Sequence, residues 1–257
     1  MGRIIAVSNQ KGGVGKTTTT INLGAALVAD GHTVLLVDLD PRADMSAYLG
    51  IPADDGRYTV YDALFAEGVG LRDAVSQTSI AGLQIVPATA DLAGAEMLLM
   101  GDFADRRTLV VRDSIVPMAA EYDFVLIDTP PGLQLLSVGA VVAAEELIIP
   151  QQCSFLALHG LRQLSRNIER AQEQLNPTLR ICGIVMTMQD RRTIHNRQVI
   201  DMVRQRFGDM VFDTIIPTTV RLQEAVAAQE AIISYDPECA AAAAYRSLAH
   251  EVVARGT

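Results

Sequence analysis

At 257 residues, with net charge −9, 49% hydrophobic residues, no tryptophan and few aromatics, the chain can bury a large, mostly aliphatic core. Taken globally, the acidic balance argues against a nucleic-acid binder, and no apolar run is long enough to cross a bilayer. Cys153, Cys182 and Cys239 are far apart and lack metal-ligand spacing, which reads as buried or inert thiols in a reducing compartment.

The first expected strand, Ile4–Ser8, leads into Asn9-Gln10-Lys11-Gly12-Gly13-Val14-Gly15-Lys16-Thr17-Thr18-Thr19-Thr20 and then a helical pattern over Thr17–Ala29. Strand, glycine-rich loop and helix form the context of a phosphate-binding loop. Gly12, Gly13, Val14 and Gly15 let the backbone curl so that its N–H groups face phosphate oxygens, and the helix from Lys16, Thr17 and Thr18 presents its positive end. Lys16 would reach the β- and γ-phosphates, and the Thr17 hydroxyl would bind Mg²⁺. The strict G-x-x-x-x-G-K-[ST] pattern fails because Gln10 stands where its first glycine belongs; a second lysine, Lys11, precedes Lys16 by five residues. Two lysines beside small residues suit a bare strand-to-helix turn poorly. The strand starts almost at Met1 with no secretory signal or helix-turn-helix domain before it, so a cytoplasmic protein without direct operator recognition is expected.

Further strands are expected at Thr33–Asp38, Leu83–Pro87, Phe124–Asp128, Glu146–Pro150, Ile181–Met188 and Val211–Thr214. Helices are expected at Thr59–Ala66, Leu92–Met100, Arg106–Ala119, Leu135–Ala144, Leu156–Leu175, Thr193–Phe207, Val220–Ala227 and Cys239–Ala254, the last including an alanine run that suits a helix. This alternation predicts an α/β fold: a doubly wound, mostly parallel sheet with helices on both faces and ligands at the carboxyl ends of the strands. With no internal repeat and no linker, residues 1–257 read as a single P-loop ATPase domain.

Two of those strands end in acids, Asp38-Leu39-Asp40-Pro41 and Asp128-Thr129-Pro130-Pro131-Gly132, at the same edge as the P-loop. A Mg²⁺-nucleotide site needs such a carboxylate for the metal or its water shell. Asp128 fits that role, Asp40 fits positioning of the attacking water and a place at the metal, and Asp38 fits support of the loop or the outer shell. Each aspartate alone would serve equally well as a turn residue; together with a P-loop they point to a site.

A basic stretch between Asp190 and Phe207 carries Arg191, Arg192, Arg197, Arg204 and Arg206, with Arg221 further on. Arginines on one surface can neutralise backbone phosphates without reading sequence, but on the residues alone an ordinary solvated helix face is the favoured reading. Aromatic interleaving is absent, which disfavours a stacking platform for single strands.

The loop resembles the deviant Walker A motif of the ParA/MinD family of ATPases. Gly-Lys-Thr-Thr-Thr-Thr-Ile-Asn-Leu, Leu-Val-Asp-Leu-Asp-Pro, Leu-Ile-Asp-Thr-Pro-Pro, Ala-Leu-His-Gly-Leu and Ile-Ile-Pro-Thr-Thr-Val-Arg-Leu extend the resemblance, to the small Soj-like partition proteins, over nearly the whole chain. The resemblance implies a slow ATPase using ATP and Mg²⁺, with Lys11, Lys16, Thr17, Asp40 and Asp128 as its machinery. It further implies a homodimer when ATP is bound, Lys11 crossing the interface and Gly12 lying where the backbones pass closest. Met186, Thr187 and Pro217 fall near the adenine, and Arg192 and Arg221 match positions that bind non-specific double-stranded DNA. A ParB-like or other adaptor protein would stimulate hydrolysis, and the location would be the nucleoid. The chain departs from the pattern at Arg42-Ala43-Asp44 (usually Gln-Gly-Asn), Gly132-Leu133-Gln134 (usually Ser-Leu-Gly), Glu224-Ala225-Val226-Ala227 (usually Glu-Ala-Pro-Ser) and Thr218 (often arginine). Competing readings are a MinD-like membrane-positioning ATPase, a metabolic or redox ATPase of the same fold, and a P-loop scaffold that binds nucleotide without turnover. The tail from Tyr245 is small and weakly charged, so no membrane partner is expected.

Overall fold

A computed structural model describes residues 2–52, 55–132, 134–154, 166, 169–190 and 192–256. The strands are β1 (Arg3–Val7), β2 (Val34–Asp38), β3 (Ser76–Gln77), β4 (Leu83–Val86), β5 (Phe124–Asp128), β6 (Glu146–Gln152), β7 (Arg180–Gln189) and β8 (Val211–Pro217). They form one sheet in the order β3-β4-β2-β5-β1-β6-β7-β8, parallel throughout except for β3, which runs antiparallel to β4. The expected doubly wound α/β sheet is therefore what the chain forms.

Aliphatic, β-branched runs make these strands, and their period of two splits the core. Ile4 and Ala6 of β1 join the cluster on one face, Ile5 and Val7 the cluster on the other. The first face is covered by α3 (Val60–Phe65), α4 (Ala95–Met100), α5 (Val110–Ile115), α6 (Leu135–Ala143) and α7 (Ile194–Phe207). The second is covered by α1 (Lys16–Ala29), α2 (Asp44–Tyr48), α8 (Val220–Ala228), α9 (Ile232–Tyr235) and α10 (Ala240–Arg255). The apolar side of α10, including Tyr245, Leu248 and Val252, is buried against this second face. Among the described residues no helix is long and apolar enough to cross a membrane.

Several elements differ from their sequence pattern. The segment expected as one helix over Leu92–Met100 begins as a 3₁₀ turn, Ala90–Gly94, and becomes α-helical only at Ala95. Arg106–Ala119 is broken into α5 and a 3₁₀ turn, Val116–Ala120, because Pro117 has no N–H to continue the α ladder. Short α2 and β3 carry no periodic signal and were not expected. The helix expected over Leu156–Leu175, with the stretch 157–161, lies mostly outside the described residues; its described end, Ala171–Leu175, is a π-helical turn. Arg191 and Leu133 also lie outside them.

At the amino edge of the sheet, Glu146 is buried and bound by two arginines. Arg3 grips it in a fork, Nε to Oε1 at 2.9 Å and Nη2 to Oε2 at 2.7 Å, and Arg180 adds a bond of 2.9 Å. Arg3 also donates to the Val252 carbonyl at 2.8 Å, tying β1 and β6 to α10. Burial pulls the Glu146 carboxyl up, but the Arg3 hydrogen bond and charge outweigh it and hold the group below its ordinary range. Removing Arg3 leaves a buried carboxylate with only the exposed Arg180. Arg3→Ala is expected to lower unfolding stability by about 3 kcal/mol in urea titrations, whereas a loss below about 1 kcal/mol would show that Arg180 suffices.

Candidate nucleotide-binding site

β1 stops at Val7, and the loop that follows enters α1 through two left-handed glycines, Gly13 (φ 69°) and Gly15 (φ 88°). Side chains are strained at such φ values. Gly15 is the N-cap of α1 and offers no side-chain cap, and the first turn contains no acid. The positive end of a 14-residue helix therefore faces the cavity uncompensated. The loop itself is pinned. Thr187 Oγ1 on β7 donates to the Val14 carbonyl at 2.9 Å, and the Gly132 N–H donates to the Gln10 carbonyl at 3.1 Å.

Parallel pairing places the carboxylates. Asp38 on β2 and Val7 on β1 are both register partners of Asp128 on β5, so both acids sit at strand ends beside the start of the loop. The Thr17 hydroxyl donates to Asp128 Oδ2 at 2.6 Å, while Asp128 Oδ1 is buried with no hydrogen-bond partner. Asp38 is equally buried but accepts the Asp40 N–H (3.1 Å), the Ser46 N–H (3.0 Å) and the Ser46 hydroxyl (2.7 Å). Burial pushes the Asp38 carboxyl up to about 6 against the pull of those three bonds, with the charge of Asp40 adding a smaller push upward. Asp128 rises further, to about 8, through burial and then the charge of Asp38, with the Thr17 bond and Lys16 pulling the other way. Burial draws the Lys16 ammonium below its ordinary range, while Asp128 and Asp40 pull it back.

A cavity of about 500 Å³ is lined by Gly12, Gly13, Gly15, Lys16, Thr17, Thr18, Asp40, Arg42, Asp44, Tyr48, Pro131 and Met188, among others. A second, of about 410 Å³, shares Gly15, Thr18, Met188 and Val226 with it and adds Thr187, Pro217, Thr218 and Tyr245. The fold thus brings together Lys16, Thr17 and Asp40 on one wall, with Thr187 and Pro217 alongside. The donor set fits a hard divalent cation: a threonine hydroxyl bound to a buried carboxylate whose other oxygen has no partner, with a second carboxylate near.

Other expected residues stand apart. Met186 is fully buried in the first-face cluster, so its side chain is turned away from the cavities. Its neighbour Met188 lines both instead, because a left-handed φ of 56° and a register shift near the end of β7 break the strand's alternation. Lys11 is exposed and reaches along the rim to Gln152 Oε1 at 3.1 Å, with its N–H held by Asn9 Oδ1 at 3.1 Å. Asn9 donates in turn to the Pro150 carbonyl at 2.8 Å. Asn9, Gln152, Tyr48 and Met188 escaped sequence reasoning; only Asn9 carried a signal, as an Asx-type residue before a turn.

Arg192 follows β7 and Arg221 lies in the first turn of α8, at the same carboxyl edge, where the Thr218 N–H joins the Gln189 carbonyl at 2.9 Å. Both are engaged locally: Arg192 with Asp190 at 3.0 Å, Arg221 with Glu224 at 2.9 Å and Asp236 at 3.2 Å. Cys153 and Cys182 are buried in opposite faces of the sheet, each thiol pushed up to about 12, chiefly by burial. Cys239 caps α10, its sulfur accepting the Ala242 N–H.

Comparison with known proteins follows the same lines. Residues 2–181 match the family described as AAA domain, and residues 119–256 match the 4Fe-4S iron sulfur cluster binding proteins of the NifH/frxC family. The chain is 48% identical to the chromosome partitioning protein ParA of Caulobacter vibrioides, over 98% of this chain and 94% of that protein. It is 43% identical to the sporulation initiation inhibitor protein Soj of Bacillus subtilis, over the full length of both. Among solved structures, cobyrinic acid a,c-diamide synthase from Mycobacterium smegmatis with bound ATP analog and magnesium superposes with a TM-score of 0.87 at 35% identity, covering 100% of this chain and 96% of that one.

The buried carboxylates predict a pH signature in the nucleotide-free, metal-free protein. A carboxyl whose folded pKa lies above its unfolded value stabilises the fold at low pH and loses that contribution as pH rises toward the folded value. For Asp128 the window runs from about 4 to about 8. Asp128→Asn mimics the protonated form. Its melting temperature relative to wild type is therefore expected to climb steadily from pH 5 to pH 8; a difference that stays flat would refute the shift.

Proposed function

The chain belongs to the ParA/MinD family of P-loop ATPases, and on that premise we propose that it is a single-domain partition ATPase whose ATP-bound dimer holds non-specific DNA. The observation that carries the reading is the convergence of Lys16, Thr17 and the half-satisfied Asp128 beneath the uncapped end of α1. In ATP hydrolysis, a water oxygen bonds to the γ-phosphorus as the bond to the bridging β–γ oxygen breaks, giving ADP and phosphate. Gly12 to Thr18 cradle the phosphates through backbone N–H groups, and Lys16 supplies a buried cation to them. Thr17 and Asp128 hold Mg²⁺ or its water shell, joined by Asp40, which also orients the attacking water. Thr187, Met188 and Pro217 line the cavity that would take the base.

Lys11 is suited to a role outside its own cavity. It is exposed, and its bond to Gln152 is an exchangeable surface contact. In the proposed cycle it crosses to the phosphates of a second subunit, so that dimerisation follows ATP. Arg192 and Arg221 then supply DNA contacts from both subunits, and two weak patches held together gain avidity. An adaptor protein of the ParB-like kind accelerates a slow intrinsic turnover and releases the dimer. The cycle operates in the cytoplasm, on the nucleoid, and positions a plasmid, chromosome region or other cargo. The solved structure named as a diamide synthase shares the fold, but the Caulobacter vibrioides relative, at 48% identity, carries a chromosome partitioning name, which supports this assignment over amide synthesis.

Binding to a random-sequence duplex, with ATP, with ADP and without nucleotide, tests the reading. Tight binding is expected with ATP only, and both Lys11→Ala and Lys16→Ala should abolish it. Four arginines on four phosphates predict an affinity about 100-fold lower at 200 mM than at 50 mM salt. Binding that ignores nucleotide or salt would refute the switch.

A further inference from the structure

Arg42 is a cationic side chain of the main cavity that the proposed cycle leaves without work. It lies on the loop between β2 and α2, where this chain reads Arg42-Ala43-Asp44. The backbone there is fixed from both sides. Asp40 accepts the Arg42 N–H on Oδ1 at 3.0 Å and the Ala43 N–H on its carbonyl at 2.8 Å, and Asp38 holds Ser46 through its N–H and hydroxyl. Ala43 takes a left-handed φ of 52°, a conformation that a residue with a Cβ adopts only when its surroundings impose it. The Arg42 Cα is therefore set beside Asp40, while its side chain is 67% exposed and can pivot about its own torsions.

The guanidinium is parked rather than built in. Its Nε is 3.9 Å from Asp40 Oδ2, and its tip forms an ion pair with Asp44, two residues away at the start of α2. A structural arginine would bridge to elements distant in sequence, as Arg3 does to Glu146 and Val252. An exposed pair of this kind is weak. A terminal phosphate carries more charge than the Asp44 carboxylate, and the planar guanidinium fork suits its oxygens in a bidentate contact.

We propose that Arg42 is a phosphate-contacting residue acting within its own subunit: its guanidinium leaves Asp44 and takes the terminal phosphate oxygens of bound ATP, where it stabilises the charge that builds during hydrolysis. Asp44 is its resting partner before nucleotide binds. This rests on the ATPase reading above.

The test uses the full chain as wild type, Arg42→Gln, Asp44→Asn and the double variant. It measures binding of MgADP alone and of MgADP with aluminium fluoride, a mimic of the transferring phosphoryl group, together with ATP turnover. Arg42→Gln is expected to lose about 100-fold or more in affinity for MgADP with aluminium fluoride, and a similar factor in turnover, with MgADP alone changed by less than about 3-fold. Asp44→Asn should tighten the mimic, and the double variant should remain as weak as Arg42→Gln. Wild-type affinity for the mimic in Arg42→Gln would overturn the proposal. So would recovery in the double variant, since Arg42 would then only have neutralised Asp44. A wild type that neither binds MgADP nor hydrolyses ATP would sink the ATPase reading and this proposal with it; a hydrolysing wild type matched by Arg42→Gln would sink this proposal alone.

Discussion

Asp38 and Asp128 are register partners on adjacent parallel strands, so closing this sheet buries two carboxylates side by side, with Asp40 close behind. Two buried like charges cannot both ionise at ordinary cost. The surroundings treat them unequally. Asp38 receives three hydrogen bonds and is satisfied; Asp128 receives one on Oδ2, from Thr17, and none on Oδ1. The acid left incomplete is the one nearest Lys16 and the helix end, where a cation and a phosphate chain would complete it. A divalent ion there reverses the local balance, because it favours the ionised carboxylate that burial opposes. On this view a nucleotide and a metal ion bound together would offset the cost of burying Asp128.

The same acid that is satisfied does mechanical work. Asp38 links the end of β2 to Ser46 in α2, and the Ser46 hydroxyl accepts the Ala88 N–H just beyond β4 at 3.0 Å. Two strand ends and the start of α2 are thereby fixed around the Asp40 loop. The loop at the end of β1 is held in turn by Thr187 from β7 and by the turn after β5. Such pre-organisation matters for phosphoryl transfer, where positioning and electrostatics carry most of the catalysis.

Much of this was legible in the sequence because it is written in local terms. The glycine positions that need a left-handed backbone, the lysine and threonine that follow, and the acids closing apolar runs all sit within short windows, and the sheet orders them through strand alternation alone. What was not legible depends on distant pairing or on broken periodicity. Met186 and Met188 share a strand face by count, but the φ of Met188 undoes the count, so the residue expected at the base cavity is buried and its neighbour faces it. Gln152 meets Lys11 only because β6 lies beside β1. The helix pattern over Arg106–Ala119 ignored what Pro117 does to the backbone ladder. The sequence shows Arg192 and Arg221 as exposed cations without naming their partners, while in the fold each holds nearby acids.

Those acid partners bear on how DNA would be gripped in the proposed cycle. Exposed pairs are worth about 0–1 kcal/mol, so a phosphate can displace Asp190 or Glu224 at little cost, but a single chain with net charge −9 gains little from two such exchanges. Doubling the contacts in a dimer changes that. The geometry also connects Arg221 to the cavity that would take the base. Thr218, Thr219, Leu222 and Val226 line the second cavity, and α8, which begins at Val220, presents Arg221 in its first turn. A base seated against that wall would fix the helix that carries Arg221, one of the two arginines proposed to hold DNA. Meanwhile the phosphates would occupy the loop from which Lys11 reaches outward. One ligand would thus order both the dimer contact and the DNA contact through elements it touches directly, without a relay through the core.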